Sequence, residues 1–215
     1  MHIIFARTGE NSEMARLSFK SLASFFGKEK LDFKLIEPHE YAHLVIDVQR
    51  QFCDPSYSVS GTKTTDNIAR GIARLTPLFR EAGIPTYMIY KQRWSEPSEQ
   101  AWGGFHRVKP AKGDVVFGKH MHSAFEYTDL GDQLRARGIK TLLVSGFDIE
   151  CCINASVQDA LREDFNVWVL KDCIGNGGRQ MPGYLEGYFK LMTDNGAELM
   201  HSSEAVRRLQ QPKPL

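Results

Sequence analysis

The stretch His43-Leu44-Val45-Ile46-Asp47-Val48 decides the fold class of this chain. It is mostly apolar and rich in β-branched residues, which is typical of a strand buried on both faces. Further strands are predicted at residues 84–90, 114–117, 141–145, 167–170 and 197–200, and amphipathic stretches lie between most of them. This alternation predicts βαβ units and therefore an α/β fold with a parallel sheet.

Helices are predicted at residues 65–82, 130–137, 150–164 and 182–193. The first of them contains Pro77, which can kink or break a helix. Residues 91–112 form a long irregular stretch, and loops of this length in a compact domain are usually functional or disordered. We interpret residues 1–40 as an N-terminal extension of unknown role and residues 41–215 as one domain.

The bulk composition limits the classes of partner. The 215 residues suit one substantial α/β domain, and 27 basic against 26 acidic side chains give a net charge of +1. Such a balance predicts neither a nucleic-acid partner nor a membrane partner. The first residues do not resemble a signal peptide, and four cysteines do not form a dense disulfide framework. We therefore expect a cytoplasmic protein.

Three ionisable residues fall at or just beyond predicted strand ends: Asp47, Lys119 and Cys152. Loops at the carboxyl ends of parallel strands converge where the strand order reverses, so these side chains are expected to meet. Cys152 lies in the first turn of a predicted helix, where the helix dipole favours a thiolate. The pattern indicates a nucleophile, a proton acceptor and a cation in one site.

These residue types predict nucleophilic catalysis. Asp47 is expected to take the thiol proton of Cys152 and return it to a leaving nitrogen, while Lys119 holds both groups in register. Backbone N–H groups of Asp148 and Cys152 are the predicted oxyanion hole. The expected course is attack on an acyl carbon, release of ammonia or an amine, and hydrolysis of the thioester.

Three segments closely resemble the isochorismatase-like cysteine hydrolase family. They are Leu44-Val45-Ile46-Asp47-Val48-Gln49 with Phe52, Gly113-Asp114-Val115-Val116-Phe117-Gly118-Lys119, and Gly146-Phe147-Asp148-Ile149-Glu150-Cys151-Cys152-Ile153. The resemblance runs from about residue 42 to residue 176. It implies a three-layer α/β/α fold with a six-stranded parallel sheet, and it maps the family's catalytic residues onto Asp47, Lys119 and Cys152. It also implies a cis peptide bond at Phe147–Asp148 and a homo-dimer or homo-tetramer.

The chain departs from the family pattern at two points. The family usually carries a small or apolar residue where Asp148 stands, and a carboxylate there opposes an anionic intermediate unless it points away. Nicotinamidases of the family hold a divalent metal with an Asp-x-His pair, but this chain has Lys91-Gln92-Arg93 at that position. The spacing of its histidines does not indicate an obvious metal site either; they include His106, His120 and His122. We expect no catalytic metal and no cofactor.

The predicted substrate is a small amide, ureide or N-carbamoyl compound. Four aromatic residues are the candidate pocket walls: Phe52, Trp94, Trp102 and Phe147. Arg93 or Arg107 is a candidate partner for a substrate carboxylate.

Three alternatives stay open at the level of sequence. An isochorismatase-type vinyl ether hydrolase would use the aspartate and have no need of Cys152. A catalytically silent binding protein on the same scaffold would result if Asp148 spoiled the oxyanion hole. A nucleotide-binding protein is the weakest alternative, because the glycines of residues 175–178 lack the dinucleotide fingerprint.

Overall fold

The computed structural model describes residues 38–96, 98–177 and 183–210. Its strands are β1 (Tyr41–Ile46), β2 (Thr86–Lys91), β3 (Val115–Lys119), β4 (Thr141–Gly146), β5 (Asn166–Ile174) and β6 (Glu198–Met200). They form one sheet in the order β3-β2-β1-β4-β5-β6, and every neighbouring pair is parallel. The predicted six-stranded parallel sheet is confirmed. Most of the N-terminal extension, residues 1–37, lies outside the described residues.

The α-helices of the described ranges connect the strands. They are α1 (Arg50–Cys53), α2 (Lys63–Glu81), α3 (Leu130–Ala136), α4 (Asn154–Arg162), α5 (Tyr184–Asp194) and α6 (Ser202–Leu209). Short 3₁₀ turns occupy Pro38–Glu40 and Ala101–Gly103, and a π-helical turn, Ile149–Ile153, precedes α4. None of the helices that the structure describes is both long and apolar enough to cross a bilayer.

The sheet separates two apolar cores. Leu44 and Ile46 of β1 pack in the core beneath α3, α4 and α5, whereas Val45 packs in the core beneath α2 and α6. Successive strand residues point to opposite faces, so a strand covered on both sides must be apolar throughout. This arrangement confirms the three-layer α/β/α fold.

Helix α2 runs through Pro77 without a break, although the sequence allowed for one there. A proline removes one helical hydrogen bond, but α2 buries its apolar face almost completely. Ile72 and Phe79 have no exposed surface on that face. The burial of these side chains outweighs the missing bond, because each is worth about 1.5–3 kcal/mol. At the amino end, Thr62 and Thr65 form a reciprocal capping box.

Helix α6 was not predicted. Ala205, Val206 and Leu209 line its buried face. The carboxylate of Asp172 accepts hydrogen bonds from the backbone N–H of Ser202 at 2.7 Å and from its hydroxyl at 2.6 Å. A carboxylate at a helix N-terminus satisfies an otherwise unpaired N–H and complements the helix dipole.

The strand order reverses between the central strands β1 and β4. The chain leaves β1 toward β2 on one side of the sheet and leaves β4 toward β5 on the other side. The carboxyl ends of two strands at such a reversal are where α/β proteins commonly bind ligands.

Candidate active site

The structure brings Asp47, Lys119 and Cys152 together at the carboxyl edge of the sheet. Asp47 directly follows β1 and has a φ of 52°, which ends the extended strand at that residue. Lys119 is the last residue of β3, and Cys152 lies in the π-helical turn after β4. Each residue therefore reaches the site from a different strand end, as the sequence predicted.

The ammonium group of Lys119 lies between the other two side chains. Its Nζ atom is 2.7 Å from Oδ2 of Asp47 and donates a hydrogen bond of 3.2 Å to Sγ of Cys152. It also donates to the carbonyl of Met121 at 3.2 Å. Lys119 has no exposed surface and Asp47 is 1% exposed. Burial of this kind is tolerated only where charges are paired and hydrogen-bonded.

The protonation of the cluster follows from these contacts. Burial by itself lowers the pKa of Lys119, but the negative charges of Asp47 and Cys152 outweigh it and raise the pKa of the ammonium. The contact with the Cys151 sulfur, burial and the Asp47 carboxylate all raise the pKa of the Cys152 thiol, and Lys119 opposes them. These contacts therefore favour the ammonium form of Lys119 and the neutral thiol form of Cys152.

A second lysine, Lys91, lies beside this cluster and was missed as a site residue. Lys91 and Lys119 are register partners at the ends of β2 and β3. The ammonium of Lys91 donates to the carbonyls of His120 and Met121, and the Met121 carbonyl also accepts from Lys119. Burial and the positive charge of Lys119 lower the pKa of Lys91. The sequence signal was available, because a strand-end lysine one strand away from Lys119 falls on the same edge of the sheet.

The other wall of the site is the turn between β4 and α4. The peptide bond Phe147–Asp148 is cis, as the resemblance implied. The backbone carbonyl of Asp148 accepts hydrogen bonds from the N–H groups of Cys151 and Ile153. These bonds hold the segment that carries Cys152 against the end of β4.

The carboxylate of Asp148 is engaged on the side of the following loop. It accepts a hydrogen bond of 2.6 Å from the backbone N–H of Gly177. Burial is the main reason that its pKa rises to about 6, and the negative charges of Asp47 and Glu150 add to the effect. The carboxylate that departs from the family pattern thus has a structural partner.

The long irregular stretch after β2 is fixed by Gln49, which has no exposed surface. Its side-chain amide donates to the carbonyls of Ala101 at 2.7 Å and Lys91 at 3.1 Å, and it accepts from the N–H of Lys91 at 2.8 Å. One buried glutamine therefore ties this loop to the end of β1 and to the strand that carries Lys91.

Three of the four predicted aromatic walls lie on or near this loop. Trp94 is 81% exposed, stacks on His120 with ring centroids 3.8 Å apart, and lines a cleft beside the end of β3. Trp102 packs against Phe52 with centroids 5.8 Å apart, and the guanidinium of Arg93 lies 3.9 Å over its ring.

Phe147 does not have the predicted position of a pocket wall. It has no exposed surface and packs in the core beneath α2, close to Gly175. Its ring is buried because it directly follows β4 and points to the covered face. Arg107 is also engaged within the protein. Its guanidinium forms a bidentate ion pair with the carboxylate of Asp66, at 2.6 and 3.0 Å, and the same carboxylate accepts a hydrogen bond from His106. That pair fixes the loop to α2.

Among the described residues, one group of side chains has soft-metal ligand atoms close together. The ligand atoms of His122, Cys151 and Cys152 all lie within 4.8 Å of one another. The Nδ1 atom of His122 is 3.9 Å from Sγ of Cys152.

Comparisons with known proteins agree with this picture. The sequence model of the isochorismatase domain family matches residues 41–204. A ureidoacrylate amidohydrolase of Methylobacterium radiotolerans is 26% identical over 208 aligned residues, covering 75% of this chain and 79% of that protein. An N-carbamoylsarcosine amidase of Arthrobacter is 24% identical over 193 residues, covering 79% of this chain and 71% of that protein.

Solved structures share the fold. The crystal structure of a cysteine hydrolase from Pseudomonas syringae pv. phaseolicola superposes with a TM-score of 0.70 at 21% identity. The match covers 86% of this chain and 99% of that one.

Proposed function

The chain belongs to the isochorismatase family, and on this premise we propose that it is a cysteine-dependent hydrolase cleaving a C–N bond of a small amide, ureide or N-carbamoyl compound. The observation that carries the proposal is the position of the Lys119 ammonium, 2.7 Å from the Asp47 carboxylate and 3.2 Å from the Cys152 sulfur. A cation that contacts both a nucleophile and a proton acceptor brings together the parts that acyl transfer requires.

The names of the relatives support this class of reaction. A ureidoacrylate amidohydrolase and an N-carbamoylsarcosine amidase both act on C–N bonds next to a carbonyl group. The presence of Cys152 favours the same class over vinyl ether hydrolysis, which has no use for a thiol.

In the proposed reaction, the thiol of Cys152 transfers its proton to Asp47 as the sulfur attacks the acyl carbon. Asp47 then gives the proton to the leaving nitrogen, so that ammonia or an amine departs and a thioester remains. Water attacks the thioester, Asp47 accepts a proton from that water, and the thiol is restored. Lys119 keeps its charge throughout and lowers the energy of the thiolate.

The backbone N–H groups of Asp148 and Cys152 are the proposed oxyanion hole. Both belong to the turn after β4, which the bonds to the Asp148 carbonyl hold in place. Fixed N–H groups stabilise the negative charge of the tetrahedral intermediate, and one such donor is worth about 2.7–4 kcal/mol. The Asp148 carboxylate accepts a hydrogen bond from Gly177 in the neighbouring loop. This engagement supports a functional oxyanion hole over the alternative of a catalytically inactive binding protein.

The cleft lined by Trp94, His120 and Tyr127 is the proposed entrance for the acyl part of the substrate. Lys119 is one of its lining residues, and Arg93 and Lys91 supply positive charge from the neighbouring end of β2 and the residues just after it. A carboxylate on the substrate suits this charge pattern, and both named relatives act on compounds that are acids.

An ammonia-release screen over amides, ureides and N-carbamoyl acids tests the proposal, with the Cys152→Ser variant measured beside the parent. Release by the parent alone is the expected result. A parent that releases neither ammonia nor an amine from any of these compounds would contradict the proposal. Hydrolysis of a vinyl ether that survives Cys152→Ala but not Asp47→Ala would identify the alternative activity.

A further inference from the structure

Two side chains with soft metal-ligand atoms, Cys151 and His122, lie beside the nucleophilic sulfur of Cys152, and the proposed reaction uses neither of them. Cys151 is half-buried and His122 is exposed, and both offer ligand atoms within 4.8 Å of the Cys152 sulfur. His122 comes from the segment after β3, whereas the cysteines come from the turn after β4. Two separate elements therefore place two sulfurs and one imidazole around the same point.

The spacing of these atoms suits a tetrahedral cation. With Zn–S bonds near 2.3 Å and Zn–N bonds near 2.0 Å, two ligand atoms of a tetrahedral site lie roughly 3.6 Å apart. The Nδ1 atom of His122 lies 3.9 Å from the Cys152 sulfur. His122 is exposed, so its ring is open to a cation arriving from solvent.

We propose that Cys151, Cys152 and His122 form an inhibitory site for a thiophilic divalent cation such as zinc. The cation binds both sulfurs as thiolates and one ring nitrogen of His122, and the two thiol protons pass to solvent. Water completes the fourth position, which three protein ligands leave open. No electron transfer takes place, so removal of the cation restores both thiols.

Occupation of this site stops the hydrolase. The lone pair of the Cys152 sulfur that attacks the acyl carbon is then shared with the metal. The two thiolates balance the two charges of the cation, so the Lys119 ammonium, 3.2 Å from the same sulfur, can stay in place while the thiol is blocked. The enzyme is thus expected to lose activity with zinc and regain it with a chelator, which is the opposite of a metal-dependent hydrolase.

The test uses cadmium binding and zinc inhibition side by side on the full chain. Cadmium–thiolate charge-transfer absorption in the ultraviolet scales with the number of bound sulfurs and needs no turnover. The parent should show the absorption of two thiolates, and Cys151→Ser about half of it. Micromolar zinc should inhibit the parent, and His122→Ala and Cys151→Ser should each require at least tenfold more zinc, relative to their own uninhibited rates.

His39→Ala is the matched control, because His39 lies before β1 at the opposite end of the sheet; it should leave the inhibitory concentration unchanged. Equal zinc sensitivity of the parent, His122→Ala and Cys151→Ser would overturn the proposal, since Cys152 alone would then bind the metal. Inhibition that a thiol reductant reverses and a chelator does not would also overturn it, in favour of oxidation. If the substrate screen fails, the cadmium absorption still decides whether the site exists.

Discussion

The ammonium of Lys119 lies 2.7 Å from the carboxylate of Asp47, and both groups are sealed from solvent by the surrounding sheet and helices. Removal of either partner from such a pair leaves an uncompensated buried charge, which costs about 3–5 kcal/mol. The pair is therefore expected to contribute to folding as well as to the reaction.

The variant Lys119→Met should lower the free energy of unfolding by about 3–5 kcal/mol because Asp47 loses its counter-charge. Turnover should fall by at least about a thousandfold. Urea denaturation followed by circular dichroism measures the first effect. The double variant Lys119→Met with Asp47→Asn should recover much of the stability and none of the activity; a double variant as unstable as the single one would contradict the pairing.

Asp47→Asn should change thiol reactivity and turnover in opposite directions. The Asp47 carboxylate is one of the groups that raise the pKa of Cys152, so its removal increases the thiolate fraction at neutral pH. Iodoacetamide should then alkylate Cys152 faster, although hydrolysis is lost with the proton acceptor. Both rates are measured in a Cys151→Ser background to isolate one sulfur. Slower alkylation in Asp47→Asn would show that the carboxylate does not oppose the thiolate.

Asp148 should make the protein less stable as the pH rises from about 4 to about 6. Burial raises its pKa in the folded chain from 3.8 to about 6. Between these values the folded state binds more protons than the unfolded state, so stability falls with pH, by about 2 kcal/mol in total. Asp148→Asn keeps an acceptor for the Gly177 N–H and should flatten this part of the curve. Chemical denaturation at a series of pH values measures it, and an unchanged slope in the variant would refute the assignment.

Trp94 and Phe147 should respond to truncation in contrasting ways. Trp94 is exposed at the cleft, so Trp94→Ala should change stability by less than about 0.5 kcal/mol and raise KM severalfold. Phe147 is fully buried, so Phe147→Ala should cost about 3–5 kcal/mol through the cavity that it leaves. Thermal denaturation and steady-state kinetics on both variants separate the roles. An unchanged KM in Trp94→Ala would remove Trp94 from the substrate path.

The sheet and the three central side chains were predictable because both depend on strand ends. Asp47, Lys119 and Cys152 each follow an apolar run, and parallel strands bring such positions to one edge. Side-chain direction was less predictable. Phe147 directly follows a strand, and the sequence alone does not tell which face of the sheet its ring covers, because that depends on the layer that packs there.

Long-range partners explain the other differences. Arg107 looked available for a substrate, and its pairing with Asp66 joins residues 41 positions apart in the chain. Helix α6 depends on Asp172, which lies 30 residues before the helix start. Its apolar spacing at Ala205, Val206 and Leu209 was a usable signal, although a short one. The sequence shows that Lys91 replaces a metal ligand of the nicotinamidases, but its place beside Lys119 follows only from the register of β2 and β3.

Among the residues that the structure describes, strand β3 pairs with β2 alone, yet it carries the ammonium that lies beside Asp47 and Cys152 at the ends of the central strands. A border strand is among the first parts of a sheet to fray on warming. On heating, activity should therefore be lost several degrees below the temperature at which most of the circular dichroism signal is lost. Inactivation of this kind would reverse on cooling, because β2 stays in the folded sheet and β3 can pair with it again.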